Sequence, residues 1–70
     1  MRERILVVDD EPHITAAFAS LLQGEGYRAD TASSAEEAQR RVDSARYDLV
    51  LLDLNLPGRS GVEWLADLNR

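Results

Sequence analysis

An open parallel α/β sheet built in the order βαβαβα is the fold the sequence predicts, and three observations carry it. Ile5-Leu6-Val7-Val8 and Leu49-Val50-Leu51-Leu52 are continuous aliphatic runs, the pattern of strands covered on both faces. Between them Ile14, Ala17, Phe18, Leu21 and Leu22 recur at i, i+3, i+4, i+7 and i+8, which is one face of a helix. Strand-like and helix-like stretches alternate along the whole chain, and that alternation implies parallel strands joined by right-handed crossovers.

The elements follow in order. The first strand covers residues 5–8. Pro12 suits the first turn of the helix that follows, where a missing N–H costs nothing, and Gly24 and Gly26 stop that helix. Tyr27 to Ala32 reads as a shorter, more polar strand with Arg28 and Asp30 on one face, as expected at a sheet edge. Ser34-Ala35-Glu36-Glu37 is a capping-box sequence. It opens a weakly apolar helix whose inner face is Ala35, Ala38, Val42 and Ala45. Asp48 to Leu52 is the second strongly buried strand. After the loop of residues 55–59, Ser60-Gly61-Val62-Glu63 is another capping box, leading into a helix with Val62, Leu65 and Leu68 inward. No repeat, linker or low-complexity tract interrupts the chain.

Composition narrows the function classes. Seventy residues make one small domain that buries only about 60% of its unfolded surface, so marginal stability is expected. The absence of cysteine excludes disulfides and thiolate metal sites. A single histidine, His13, argues against a His-based zinc site. The formal charge of −5 argues against phosphate-neutralising contacts of this segment with nucleic acid. Neither a signal-peptide pattern nor a membrane-length apolar stretch is present, so a cytoplasmic location is expected. All eight basic residues are arginine; there is no lysine.

The most informative residues are three carboxylates. Asp9 and Asp10 end the first apolar run and Asp53 ends the second. In such sheets ligands sit outside the carboxyl ends of the strands, at the switch point where strand order reverses. With the first and third strands side by side and the second beyond the first, the switch point falls between the strands that carry the aspartates. Two carboxylates 4 Å apart repel by about 4 kcal/mol at an effective dielectric of 20. A hard divalent cation offsets that repulsion, and Mg2+ takes one or two carboxylates while keeping several waters. The alternative is that each Asp is a helix cap or a turn residue.

Val7-Val8-Asp9-Asp10-Glu11, then Asp48-Leu49-Val50-Leu51-Leu52-Asp53-Leu54-Asn55-Leu56-Pro57-Gly58 and Ser60-Gly61, closely resembles the receiver domain of bacterial two-component response regulators. The resemblance covers all seventy residues and implies a flavodoxin-like, receiver-type parallel sheet. Residues 1–70 would be its N-terminal portion, truncated to βαβαβα with strand order 2-1-3. It further implies that Asp53 is the phosphoacceptor, taking a phosphoryl group from the phosphohistidine of a sensor histidine kinase. Asp10 would be a direct Mg2+ ligand, Asp9 a ligand through bound water, and the backbone carbonyl of Asn55 the remaining protein donor. The protein would not be an enzyme beyond assisting its own phosphorylation.

The match stops at three of the family's five βα units. The Ser/Thr that ends the fourth strand and the Lys that ends the fifth have no counterpart, and no lysine elsewhere can substitute. Arg59, a long loop side chain, is a poor replacement for a fixed ammonium. A second reading therefore stands beside the first: a fragment that cannot be phosphorylated and acts only as a folded or dimeric interaction module. The third strand, with no fourth to meet it, would be an apolar edge that invites homodimerisation. An Asp-nucleophile hydrolase is a weaker third class, because the stretch after Asp53 lacks the second acid and the threonine of Asp-x-Asp-x-Thr. Gly24-Glu25-Gly26 follows a helix and lacks a third glycine, so it is a helix stop and not a dinucleotide loop. His13 reads as a solvated first-turn residue, Ser60 as a cap and Trp64 as packing.

Overall fold

The computed structural model describes residues 3–53. Within them the elements are β1 (Arg4–Val8), α1 (Pro12–Gly24), β2 (Arg28–Ala32), α2 (Ala35–Ser44) and β3 (Leu49–Leu52). The three strands form one parallel sheet in the order β2-β1-β3. The sequence predicts this order, and the structure agrees. Boundaries move by a residue: Arg4 joins β1, and Tyr27 and Asp48 lie just outside their strands. The predicted third helix, with Val62, Leu65 and Leu68, lies outside the described residues.

The sheet is covered unequally. On one face Leu6, Val8 and Ala32 meet Ala35 and Ala38 of α2 in a buried core, with Val42, Tyr47, Val50 and Leu52 packed against it. The alanines let the helix approach closely; both are fully buried. On the other face α1 lies against β2 and β1. The buried residue of α1 is Thr15, whose hydroxyl donates to the Pro12 carbonyl at 3.1 Å and so enters the interior satisfied.

The apolar stripe of α1 departs from a simple inward face. Ile14 is 41% exposed, Phe18 46% and Leu21 67%. Ile14 and Phe18 stand over the carboxyl halves of β1 and β3, while Leu21 lies beside Ala17 and Phe18 on the helix surface. Ile14 and Phe18 line a groove of about 390 Å³ with Val7, Val8, Leu51 and Leu52. No other described element covers that groove.

Both predicted helix boundaries have a clear local cause. At the end of α1, Gly26 adopts φ +95°, a left-handed conformation that favours glycine. The Tyr27 N–H then donates to the Leu22 carbonyl at 3.0 Å and the Gly26 N–H to the Gln23 carbonyl at 3.0 Å. That pair of bonds is the Schellman arrangement. At the start of α2, the Ser34 hydroxyl accepts the Glu37 N–H at 3.1 Å. The expected reciprocal bond lands one residue early: the Glu37 carboxylate accepts from the Ser33 N–H at 2.6 Å and the Ser33 hydroxyl at 3.1 Å.

Candidate metal centre

The backbone ladder runs one residue past the strands that carry the carboxylates. The Asp9 N–H donates to the Ala32 carbonyl at 3.1 Å, and the Asp53 N–H donates to the Val8 carbonyl at 2.9 Å. Since Val8 faces Leu52 in the register, the next residues, Asp9 and Asp53, emerge side by side at the carboxyl edge. Asp9 is also tied locally, its Oδ1 accepting the Glu11 N–H at 3.0 Å. This Asx turn leads the chain from β1 into α1.

The result brings the three predicted carboxylates together. One oxygen each from Asp9, Asp10 and Asp53 lies within 4.8 Å of the others. Asp9 and Asp53 are half-buried and Asp10 is exposed. The cap-or-turn alternative accounts for one oxygen of Asp9. It does not account for Asp10, because the N-cap of α1 is Glu11, with no side-chain capping bond.

The donor set suits a small hard cation. Every donor is an oxygen, the ligand type that Mg2+ takes. The fourth predicted donor, the Asn55 carbonyl, lies outside the described residues, as do Arg59, Ser60 and Trp64. His13 is exposed in the first turn of α1.

A second polar cluster, which the sequence reading missed, lies at the opposite ends of the same strands. Asp30 Oδ2 on β2 accepts from the Tyr47 hydroxyl at 2.6 Å and from Arg4 Nε at 3.2 Å, and pairs with Arg4 Nη2 at 3.2 Å. The Arg4 guanidinium lies 5.3 Å from the centroid of the Tyr47 ring. Asp48 Oδ2 accepts the Arg4 N–H at 2.8 Å while the Asp48 N–H donates to the Arg4 carbonyl at 2.8 Å. The Tyr47 hydroxyl, and then the Arg4 guanidinium, hold the Asp30 carboxyl below the usual carboxylate range against the opposing effect of burial. Burial, and then the bond to Asp30, push the Tyr47 phenol up.

Fold and site together define a class: an open parallel α/β sheet with an acidic rim of three converging carboxylates at its switch point. The chain belongs to the response regulator receiver domain family, which it matches over residues 5–70. It is 48% identical over 67 residues to the transcriptional regulatory protein TcrA of Mycobacterium tuberculosis, covering 96% of this chain and 26% of that protein. The chemotaxis response regulator CheY4 of Vibrio cholerae superposes with a TM-score of 0.95 at 30% identity, over 99% of this chain and 57% of that one. TrrA of Thermotoga maritima, solved in complex with Mg2+-BeF, gives 0.90 at 49% identity, over 96% and 58% of the two chains. TrrA also matches, with a TM-score of 0.89 and 49% identity over the same shares of both chains, in its structure with the histidine kinase ThkA. The chain thus spans about a quarter of the length of the curated relative and over half of the solved chains.

Proposed function

We propose that this chain is the N-terminal part of a phosphoacceptor receiver, in which Asp9, Asp10 and Asp53 hold Mg2+ and Asp53 takes a phosphoryl group from a sensor histidine kinase. The observation that carries the reading is the convergence of three carboxylates from the ends of two paired strands. The Mg2+-BeF complex and the kinase complex of TrrA support the cofactor and the partner by similarity.

The residues have separable tasks in this reading. Asp10, the most exposed of the three, is the direct metal ligand, and Asp9, already engaged by the Glu11 N–H, contributes through bound water. The Asn55 carbonyl completes the protein's share. A carboxylate oxygen of Asp53 attacks the phosphorus of the phosphohistidine. The new P–O bond forms as the P–N bond breaks, and the electron pair stays on the imidazole nitrogen, which then takes up a proton. The bound cation supplies charge neutralisation and in-line positioning, which phosphoryl transfer needs more than covalent help. The output is transcriptional control, by similarity to TcrA, and the setting is cytoplasmic.

A second reading is a receiver segment that is not phosphorylated and acts only by association. The β3 edge favours such association, since Leu49 is 51% exposed and β3 pairs only with β1 among the described residues. Incubation with a small-molecule phosphodonor and Mg2+, followed by intact-mass measurement, separates the two. A single phosphoryl adduct that disappears in Asp53→Asn supports phosphoacceptance. A folded wild-type chain that gains none supports the interaction module.

A further inference from the structure

The β1 and β3 strands carry almost no hydrophobic information about their mutual register. Ile5 to Val8 and Leu49 to Leu52 are apolar on both faces, so sliding β3 by one residue still places aliphatic side chains above and below the sheet. The consequence at the carboxyl edge is severe. A shift of about 3.3 Å with a reversal of faces carries Asp53 away from Asp9. The neighbours of Asp53 in sequence are Leu52 and Leu54, so a slip in either direction sets a leucine beside Asp9. Something other than burial must set this register.

We infer that the cluster of Arg4, Asp30, Tyr47 and Asp48 is a register key, a set of positioning residues that aligns β3 at one end of the sheet so that Asp53 joins Asp9 and Asp10 at the other. The cluster ties all three strands together. Asp48 and Arg4 exchange two bonds across the entrance of β3 and β1, each of 2.8 Å. Tyr47 reaches across β1 to Asp30 on β2 at 2.6 Å, with Arg4 between them bonded to the same oxygen. A one-residue slip breaks the Asp48 carboxylate bond, the Tyr47 bond and the stacking of Arg4 over Tyr47 together. Each contact is part-exposed and contributes modestly to stability. Their value is selective, because the shifted register has no equivalent for any of them. Registry is also the best-attested use of polar groups set among apolar ones.

This inference rests on reading the carboxylates as a cation site, and the test separates the two. The full seventy-residue chain is compared with Tyr47→Phe/Asp48→Ala and with Val42→Ala, which loosens the α2 core and removes none of the cluster's polar bonds. Two readouts are taken on the folded proteins: inter-strand NOEs that report which β1 residue faces Leu52, and Mg2+ affinity from the shifts of the Asp9 and Asp53 amides. The double variant is expected to lose the Val8 to Leu52 register in part of the population and to bind Mg2+ at least about tenfold more weakly, the scale of a lost supporting shell. V42A should keep both. Asp48→Asn, whose amide oxygen can still accept the Arg4 N–H, should recover most of the loss that Asp48→Ala causes. A folded double variant with native register and wild-type affinity overturns the inference. If wild type itself shows no saturable Mg2+ binding, the cation reading fails, and the NOEs alone decide the register claim. If the double variant does not fold, Tyr47→Phe and Asp48→Ala are read singly by the same criteria.

Discussion

Asp30 illustrates how a single residue can matter through its partners more than through its burial. It sits on a sheet-edge strand, where a solvated carboxylate is expected, yet the Tyr47 hydroxyl and the Arg4 guanidinium converge on one of its oxygens. Its pKa is lowered from the ordinary 3.8. The folded state therefore binds a proton less readily than the unfolded chain. The stabilisation is fully present above pH 3.8 and is lost as pH falls through the lower folded value. Tyr47 has the opposite sign. Its pKa is raised, so its contribution is present below 10.0 and is lost as pH rises through the folded value. Urea midpoints measured across acidic pH should fall less steeply in Asp30→Asn than in wild type. Identical slopes would show that the cluster does not hold Asp30 in its charged form. The sequence made the three rim aspartates legible because each ends an apolar run. It did not make this cluster legible, since Arg4, Asp30 and Tyr47 are separated along the chain and meet only through the parallel register.

At the scale of the element, the two glycines at the end of α1 carry opposite predictions. Both read as helix stops in the sequence, but only Gly26 has a positive φ. Gly24 lies within the last helical turn, and a Cβ built there meets nothing within 4 Å. Gly24→Ala should stabilise by up to about 1 kcal/mol, the helix-propensity difference between the two residues. Gly26→Ala should destabilise by about 1–2 kcal/mol, the cost of a side chain in the left-handed region. Chemical denaturation of the two variants distinguishes them; equal effects of one sign would refute the cap assignment. The burial of α1 was less legible than its boundaries. Its periodicity correctly marks one apolar face, but periodicity cannot say which strands that face meets. Here α1 packs against β2 and β1, while Ile14 and Phe18 line an open groove over β1 and β3 instead of filling a core.

For the whole molecule, order and topology were the most legible properties. Continuous apolar runs alternating with helical patterns, together with the crossover rule, lead to a parallel sheet of order 2-1-3, and the strands pair that way. Among the described residues no helix is long and apolar enough to cross a membrane. The sheet leaves β3 paired on one side only among these residues, with Leu49 half exposed. A charged side chain on such an edge discourages pairing with another chain. Sedimentation at rising concentration should therefore show association of the wild-type chain that Leu49→Lys reduces. A wild-type chain that stays a compact monomer at high micromolar concentration would exclude the β3 edge as a contact between copies.

Whether the three carboxylates act as one cation site is tested most directly by a Mg2+ titration followed by calorimetry. The seventy-residue chain is compared with Asp9→Asn, Asp10→Asn and Asp53→Asn, each checked for folding. One saturable site in wild type is predicted, weakened by at least about tenfold in D10N and D53N, because affinity at such sites follows ligand charge. D9N should lose less, since its side chain acts through water. Folded wild-type protein with no saturable binding, or binding indifferent to all three substitutions, would contradict the account.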